Sequence, residues 1–176
     1  MEQLKDNLMV LVQQLTELAS DHFPSNEVSA LLRTLPLSSA DIAPYIFYLD
    51  THYTRNRVYK APLFELILMC WQPGQQSAIH GHEGQKCWMR VMQGELVFTD
   101  YRDELGVLHK VATTAGEQGF VDGPAYIHSV ANASGQRALS LHLYARPFNQ
   151  CDAYDVATST TKKIQLGYHS IDGNLV

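Results

Sequence analysis

Leucines recur at helical spacing along the start of the chain. Leu4, Leu8, Leu11, Leu15 and Leu18 fall on one side of a 3.6-residue helix, with mostly polar residues between them. The stripe is too short for a coiled coil, so it predicts a helix packed on the body of the protein. Asn26 or Ser25 would cap a second helix carrying Val28, Leu31 and Leu32. Ser38 or Ser39 would cap a third around Ile42, with Pro44 tolerated near its start.

After about residue 56 the period shortens. Apolar or alternating runs at 64–70, 78–82, 87–92, 95–101, 107–112, 119–121, 126–130 and 138–144 are separated by turn residues such as Gln72-Pro73-Gly74, Gln93-Gly94, Asp103-Glu104-Leu105-Gly106, Asp122-Gly123-Pro124 and Ala133-Ser134-Gly135. Many short strands at this spacing predict a β-sandwich or barrel. The expected layout is one domain over 1–176: a small helical cap over 1–50, then a mainly β, antiparallel barrel over 51–176.

Composition narrows the partners. A net charge of -5 with no basic run argues against nucleic acid and against an anionic membrane surface. A small molecule, or another copy of the chain in a small homo-oligomer, is expected instead. No stretch is apolar enough to span a bilayer. Residues 1–15 carry acidic and polar groups where a secretory signal needs a basic start and an apolar run, so a cytoplasmic location is expected. Cys70, Cys87 and Cys151 are an odd count without scaffold spacing, and no structural disulfide is expected.

His80-Gly81-His82 stands out among the eight histidines. On a strand, the two-residue period puts both imidazoles on one face, half of a transition-metal site. Gly74 precedes His80 by five intervening residues, and Gly94 follows at a tight turn. Gly-x5-His-x-His with a later glycine resembles the first motif of the cupin family. Cys87 stands where that family usually has a glutamate ligand. Gly123-Pro124-x3-His128-x3-Asn132 looks like the second motif, with glycine and proline displaced by one position, and supplies a third histidine. A metal held by three neutral imidazoles keeps its full double charge and open positions. Zinc suits three histidines as well as iron does, so ligand count alone does not choose the metal.

The segments together resemble cysteine dioxygenase, the thiol dioxygenase branch of the cupins, from about Tyr53 to Asp155. The resemblance rests on Tyr53-Thr54-Arg55-Asn56, Ile67 to Trp71, His80-Gly81-His82 with Cys87, Gly123 to Asn132, and Ser140-Leu141-His142-Leu143-Tyr144 followed by Pro147-Phe148-Asn149-Gln150-Cys151. It implies a cupin-type, jelly-roll-like barrel that oxidises L-cysteine with O2 to cysteine sulfinic acid at one Fe(2+). By the same resemblance His80, His82 and His128 match the iron ligands, and Arg55, with Tyr53 beside it, matches the group that binds the substrate carboxylate. Tyr144 matches the active-site tyrosine, Cys87 the cysteine that becomes thioether-linked to it, and Ser140 and His142 the residues that hydrogen-bond its hydroxyl.

The residues read on their own are compatible. Ser140, His142 and Tyr144 share one face of a strand. Arg55 suits bidentate carboxylate recognition, although Thr54-Arg55-Asn56-Arg57 alone reads as a solvated turn. Cys70 and Cys151 read as ordinary buried cysteines. One departure is Tyr144-Ala145-Arg146-Pro147, where vertebrate-like members have Ser-Pro-Pro after the tyrosine. Arg146 brings an extra cation there, for the carboxylate or for solvent. Competing functions are a 3-mercaptopropionate dioxygenase, whose branch generally has Gln where Arg55 stands, and a non-oxidative metal cupin acting as an isomerase or a metabolite-binding module.

Overall fold

In the computed structural model, residues 4–101, 107–113, 118–121 and 127–176 are described. The expected turns at 103–106 and 122–124, including Gly123 and Pro124 of the second motif, lie outside them.

The leucine stripe forms α1 (Asp6–Ala19). Leu8, Leu11 and Leu15 are fully buried, and Leu4 and Leu18 are partly covered. Burying each such leucine contributes about 1.5–3 kcal/mol, which holds a helix that would be marginal alone. In α2 (Ser25–Thr34) neither Ser25 nor Asn26 is the cap. Pro24 takes that position, its carbonyl accepting the Val28 N–H at 3.0 Å. Arg90 of the barrel covers the far end by donating to the carbonyls of Leu32 and Leu35 at 2.9 and 2.7 Å. Ser38 does precede α3 (Ser39–Ile42), and the Asp41 carboxylate accepts its N–H at 2.7 Å. Pro44 sits in the following 3-10 turn, Ala43–Tyr45, rather than in α3.

The strands are β1 (Thr54–Lys60), β2 (Glu65–Trp71), β3 (Ile79–His80), β4 (Lys86–Gln93), β5 (Leu96–Tyr101), β6 (Val107–Thr113), β7 (Gln118–Val121), β8 (Ile127–Ala131), β9 (Ala138–Ala145), β10 (Gln150–Asp155), β11 (Thr160–Gln165), β12 (Ser170–Ile171) and β13 (Asn174–Leu175). One sheet runs β13-β12-β1-β2-β9-β4-β7 and the other β11-β10-β3-β8-β5-β6. Among the described residues only β1 and β12 pair in parallel. Two expectations change here. The Arg55 segment is a strand, not a surface turn. Strand structure also continues past residue 150, where β11 is polar and mostly exposed and shows no alternation to read.

The centre of the first sheet is buried on both faces, so β2 and β9 are covered at every position. Leu66, Leu68, Leu139, Leu141 and Leu143 pack with the helices. Ile67, Met69, Trp71 and Tyr144 belong to the inner cluster with residues of the opposite sheet such as Phe98 and Val130. Gly94 closes the β4–β5 hairpin at φ +75°, and a Cβ there would lie 2.6 Å from the Arg137 carbonyl, so only glycine fits.

Candidate active site

The inner face of β9 carries Ser140, His142 and Tyr144, all buried. Ser140 lies opposite Met69 and Val91, His142 between Ile67 and Met89, and Tyr144 between Glu65 and Cys87. These polar groups satisfy one another. Trp71 Nε1–H donates to Ser140 Oγ at 2.9 Å, and an indole nitrogen can only donate. Ser140 Oγ lies 2.8 Å from His142 Nε2, and His142 Nδ1 lies 3.4 Å from the Tyr144 hydroxyl, so a neutral ring donates through one nitrogen and accepts through the other. Burial, helped by the charge of Arg55, holds His142 well below the usual histidine range and keeps it neutral. The Tyr144 hydroxyl is thus oriented from behind by His142. Trp71 was not singled out from the sequence, where it reads as one more core aromatic.

Three imidazoles from the opposite side face this row. The expected strand over 78–82 is only Ile79–His80, and His82 lies in the turn beyond it. His80 is the register partner of His128 on β8, with ring centroids 4.7 Å apart. His82 stands 5.2 Å from His80 and 4.6 Å from His128, centroid to centroid. Each offers a nitrogen, and these atoms lie within 4.8 Å of one another. His80 Nδ1–H donates to the Ala78 carbonyl at 2.9 Å, which leaves its Nε2 as the free lone pair. His82 Nε2 is buried with no hydrogen-bond partner among the described residues. Burial first, then the His80 and Arg55 charges, push His82 down to about 3. Burial lowers His80 and His128 as well. Three neutral imidazoles, one with an orphaned buried nitrogen, fit a divalent transition-metal ion.

A cavity of about 30 Å³ lies between the two groups, small enough to restrict its occupant to a small molecule. Its walls include Tyr53, Arg55, Trp71, Tyr144, Phe148 and Cys151. Tyr53 stacks on Trp71 at 4.3 Å. The Arg55 guanidinium lies 5.7 Å from the centre of the Tyr144 ring. Burial alone would lower its pKa, but Tyr144, Tyr53 and Glu65 more than offset this, and the net shift is upward. Cys87 is buried directly across the ladder from Tyr144, and burial pushes its thiol up.

Both other cysteines are buried and free, as the sequence reading expects. Cys70 packs behind the first sheet, where Asn56 Nδ2 approaches its sulfur at 3.4 Å. Cys151 is buried too and also lines the cavity, its thiol pushed up to about 11 mainly by burial. Arg146 is exposed and absent from the cavity wall, which favours its solvent reading over a carboxylate role.

A two-sheet, mainly antiparallel barrel that brings three imidazoles together, with no carboxylate in the cluster among the described residues, defines a metal-binding cupin. The cysteine dioxygenase type I profile matches residues 3–157, and the chain belongs to that family of enzymes. It is 33% identical over 169 residues to cysteine dioxygenase type 1 of Rattus norvegicus, covering 91% of this chain and 84% of the relative. The Homo sapiens protein of the same name is 29% identical over 160 residues, covering 86% and 80%. A double-stranded β-helix protein of Klebsiella pneumoniae shares the fold at TM-score 0.54 and 14% identity, over 70% of this chain and 94% of that one. A Thermus thermophilus protein does so at 0.53 and 23%, over 60% and 94%.

Proposed function

We propose that the chain oxidises L-cysteine with O2 to cysteine sulfinic acid, using one Fe(2+) held by His80, His82 and His128. The observation that carries this reading is a small cavity walled on one side by His80 and His128 of the three-imidazole cluster and on the other by Arg55 and Tyr144. The bound iron would supply activation of dioxygen and a seat for sulfur. The protein supplies the rest. Arg55 pairs with the substrate carboxylate and fixes the position of the thiol. Tyr144, oriented by the Trp71–Ser140–His142 chain, presents its hydroxyl proton to the reacting groups. Tyr53, Trp71 and Phe148 wall off water. Both oxygen atoms enter the product, so thiol plus dioxygen gives sulfinic acid with no further reductant.

The second reading is oxidation of 3-mercaptopropionate, which has the same thiol and carboxylate without the amine. Arg55 favours cysteine, because the branch acting on the other acid generally has Gln there. The test is anaerobic reconstitution with iron(II), then oxygen uptake and product mass with cysteine, 3-mercaptopropionate and cysteamine. One O2 consumed per cysteine, with sulfinate formed, is expected. Oxidation of 3-mercaptopropionate in preference to cysteine would replace the first reading with the second, and no uptake with any thiol would remove both.

A further inference from the structure

Two of the three clustered imidazoles are fixed by ladders. His80 on β3 and His128 on β8 are register partners, and β10 and β5 pair on either side of them. His82 stands past the end of β3, in a turn closed by Gln85 N–H donating to the His82 carbonyl at 2.9 Å. Both central residues of that turn have positive φ, Glu83 at +53° and Gly84 at +75°. Glycine takes this backbone freely. Turns of this hand favour asparagine, aspartate or glycine at the first central position, and a glutamate there is strained. A contact from outside the turn must offset that strain.

Lys163 of β11 makes such a contact. Its ammonium donates to Glu83 Oε1 at 2.5 Å and lies 3.2 Å from Asp152 Oδ1. Asp152 is its register partner on β10, and the Asp152 carbonyl accepts the Gly81 N–H at 3.2 Å. Both neighbours of His82 are therefore tied to one strand pair, Gly81 through its backbone and Glu83 through Lys163. Ile164, the next residue of β11, lines the cavity, so Lys163 works from the outer face.

We propose that Lys163 is a positioning residue for the metal site: by bridging Glu83 and Asp152 it clamps the turn that carries His82 onto the β10–β11 hairpin and holds that imidazole beside the other two. The inference rests on the reading of His80, His82 and His128 as the metal ligands. A ligand already held in place loses less freedom when the ion binds. Charge alone would act the other way. Removing a cation and leaving two carboxylates unpaired should favour a divalent ion, so weaker binding is the signature of positioning.

The test titrates Co(II) into the metal-free chain, with visible absorption reporting both affinity and ligand field, and times the release of iron(II) from the loaded protein to excess chelator. Lys163→Met and Glu83→Gln should each weaken Co(II) binding by about fivefold, the upper end for an exposed ion pair, and alter its absorption bands. The double variant should weaken it no further than either single one. Iron(II) release should quicken in the same variants. Lys163→Arg should restore binding, and Lys162→Met, which loses the same charge one residue away, should bind as wild type does. In 1 M salt, where the screening length is about 3 Å, the gap between wild type and Lys163→Met should narrow. Urea midpoints of the metal-free chains should agree. Unchanged or tighter binding by Lys163→Met, an equal loss in Lys162→Met, a gap that salt leaves intact, or a loss matched by a lowered urea midpoint would overturn the inference. If His82→Ala binds Co(II) as wild type does, the ligand reading falls first. If His82→Ala loses the ion and Lys163→Met does not weaken it, only the clamp falls.

Discussion

Cys87 and Tyr144 are direct partners across the β4–β9 ladder, and both are buried. Side chains so opposed have Cβ atoms about 4.5–5.5 Å apart, near enough for the sulfur to reach the ring carbon beside the hydroxyl. Aerobic turnover is expected to join them: an S–C bond forms, the thiol and ring C–H bonds break, and two electrons and two protons pass to dioxygen. The link closes a loop of about 58 residues, which in the chain-entropy treatment stabilises the fold by about 4 kcal/mol. For a protein of this size that corresponds to a rise in Tm of about 8–16 °C. The perturbation is Cys87→Ser, which cannot link. The assays are intact-protein mass, where the link lowers the wild type by about 2 Da, and calorimetry on the same samples. Wild type after turnover should melt above both its own unreacted form and the variant, and the variant should keep part of its activity. An unchanged wild-type mass, with Cys87 still open to alkylation after exhaustive turnover and unfolding, would refute the link. The dioxygenase reading would survive that result.

Other expectations follow from the same geometry. His82→Ala removes one of three nitrogen ligands and should weaken iron binding by more than about 100-fold, since even partners behind the ligands cost 10–100-fold; full iron content with full cysteine oxidation would sink the site. Arg55→Ala should cost cysteine oxidation about 2–5 kcal/mol in kcat/KM while Arg146→Ala leaves it near wild type, and the reverse ranking would move the carboxylate site. The metal-free protein should lose stability on acidification. His82 and His142 are held neutral when folded, but their unfolded forms take up protons below about pH 6.5. Each then removes about 1.4 kcal/mol per pH unit, for His82 down to about pH 3. Urea midpoints that stay flat between pH 7.5 and 5.5 would contradict that burial.

The parts of the fold legible in the sequence are those with a one-sided pattern. The α1 leucines repeat at helical spacing because only one side of that helix meets the body. The Glu95–Tyr101 run alternates because β5 has one face inward, and it appears as Leu96–Tyr101. Legibility fails where neither face, or both faces, is apolar. β11 exposes nearly every residue, and β1 hides polar side chains. Asn56 is fully buried yet reads as a surface residue, because two of its partners, the Leu68 carbonyl and the Ser170 hydroxyl, come from other strands.

The site divides in the same way. His80, His82 and His128 were visible because metal ligands need a fixed residue type at a fixed spacing, and the structure brings the three together. Ser140, His142 and Tyr144 were visible because the two-residue period of a strand is itself a statement about which side chains meet. Trp71 and Cys151 carried no such signal, since an aromatic or a thiol facing a cavity is written like one facing the core. Glu65 was different. A charged residue opening an unbroken apolar run is an anomaly in the sequence itself, because a strand covered on both faces has no solvated side on which to place a carboxylate. The acid must have a partner, and the structure supplies the Tyr168 hydroxyl at 2.6 Å, with Lys60 3.9 Å away. What the sequence lacks is the register that puts Glu65 beside Tyr144. That register comes from pairing β2 with β9, more than seventy residues away, and no local pattern encodes it.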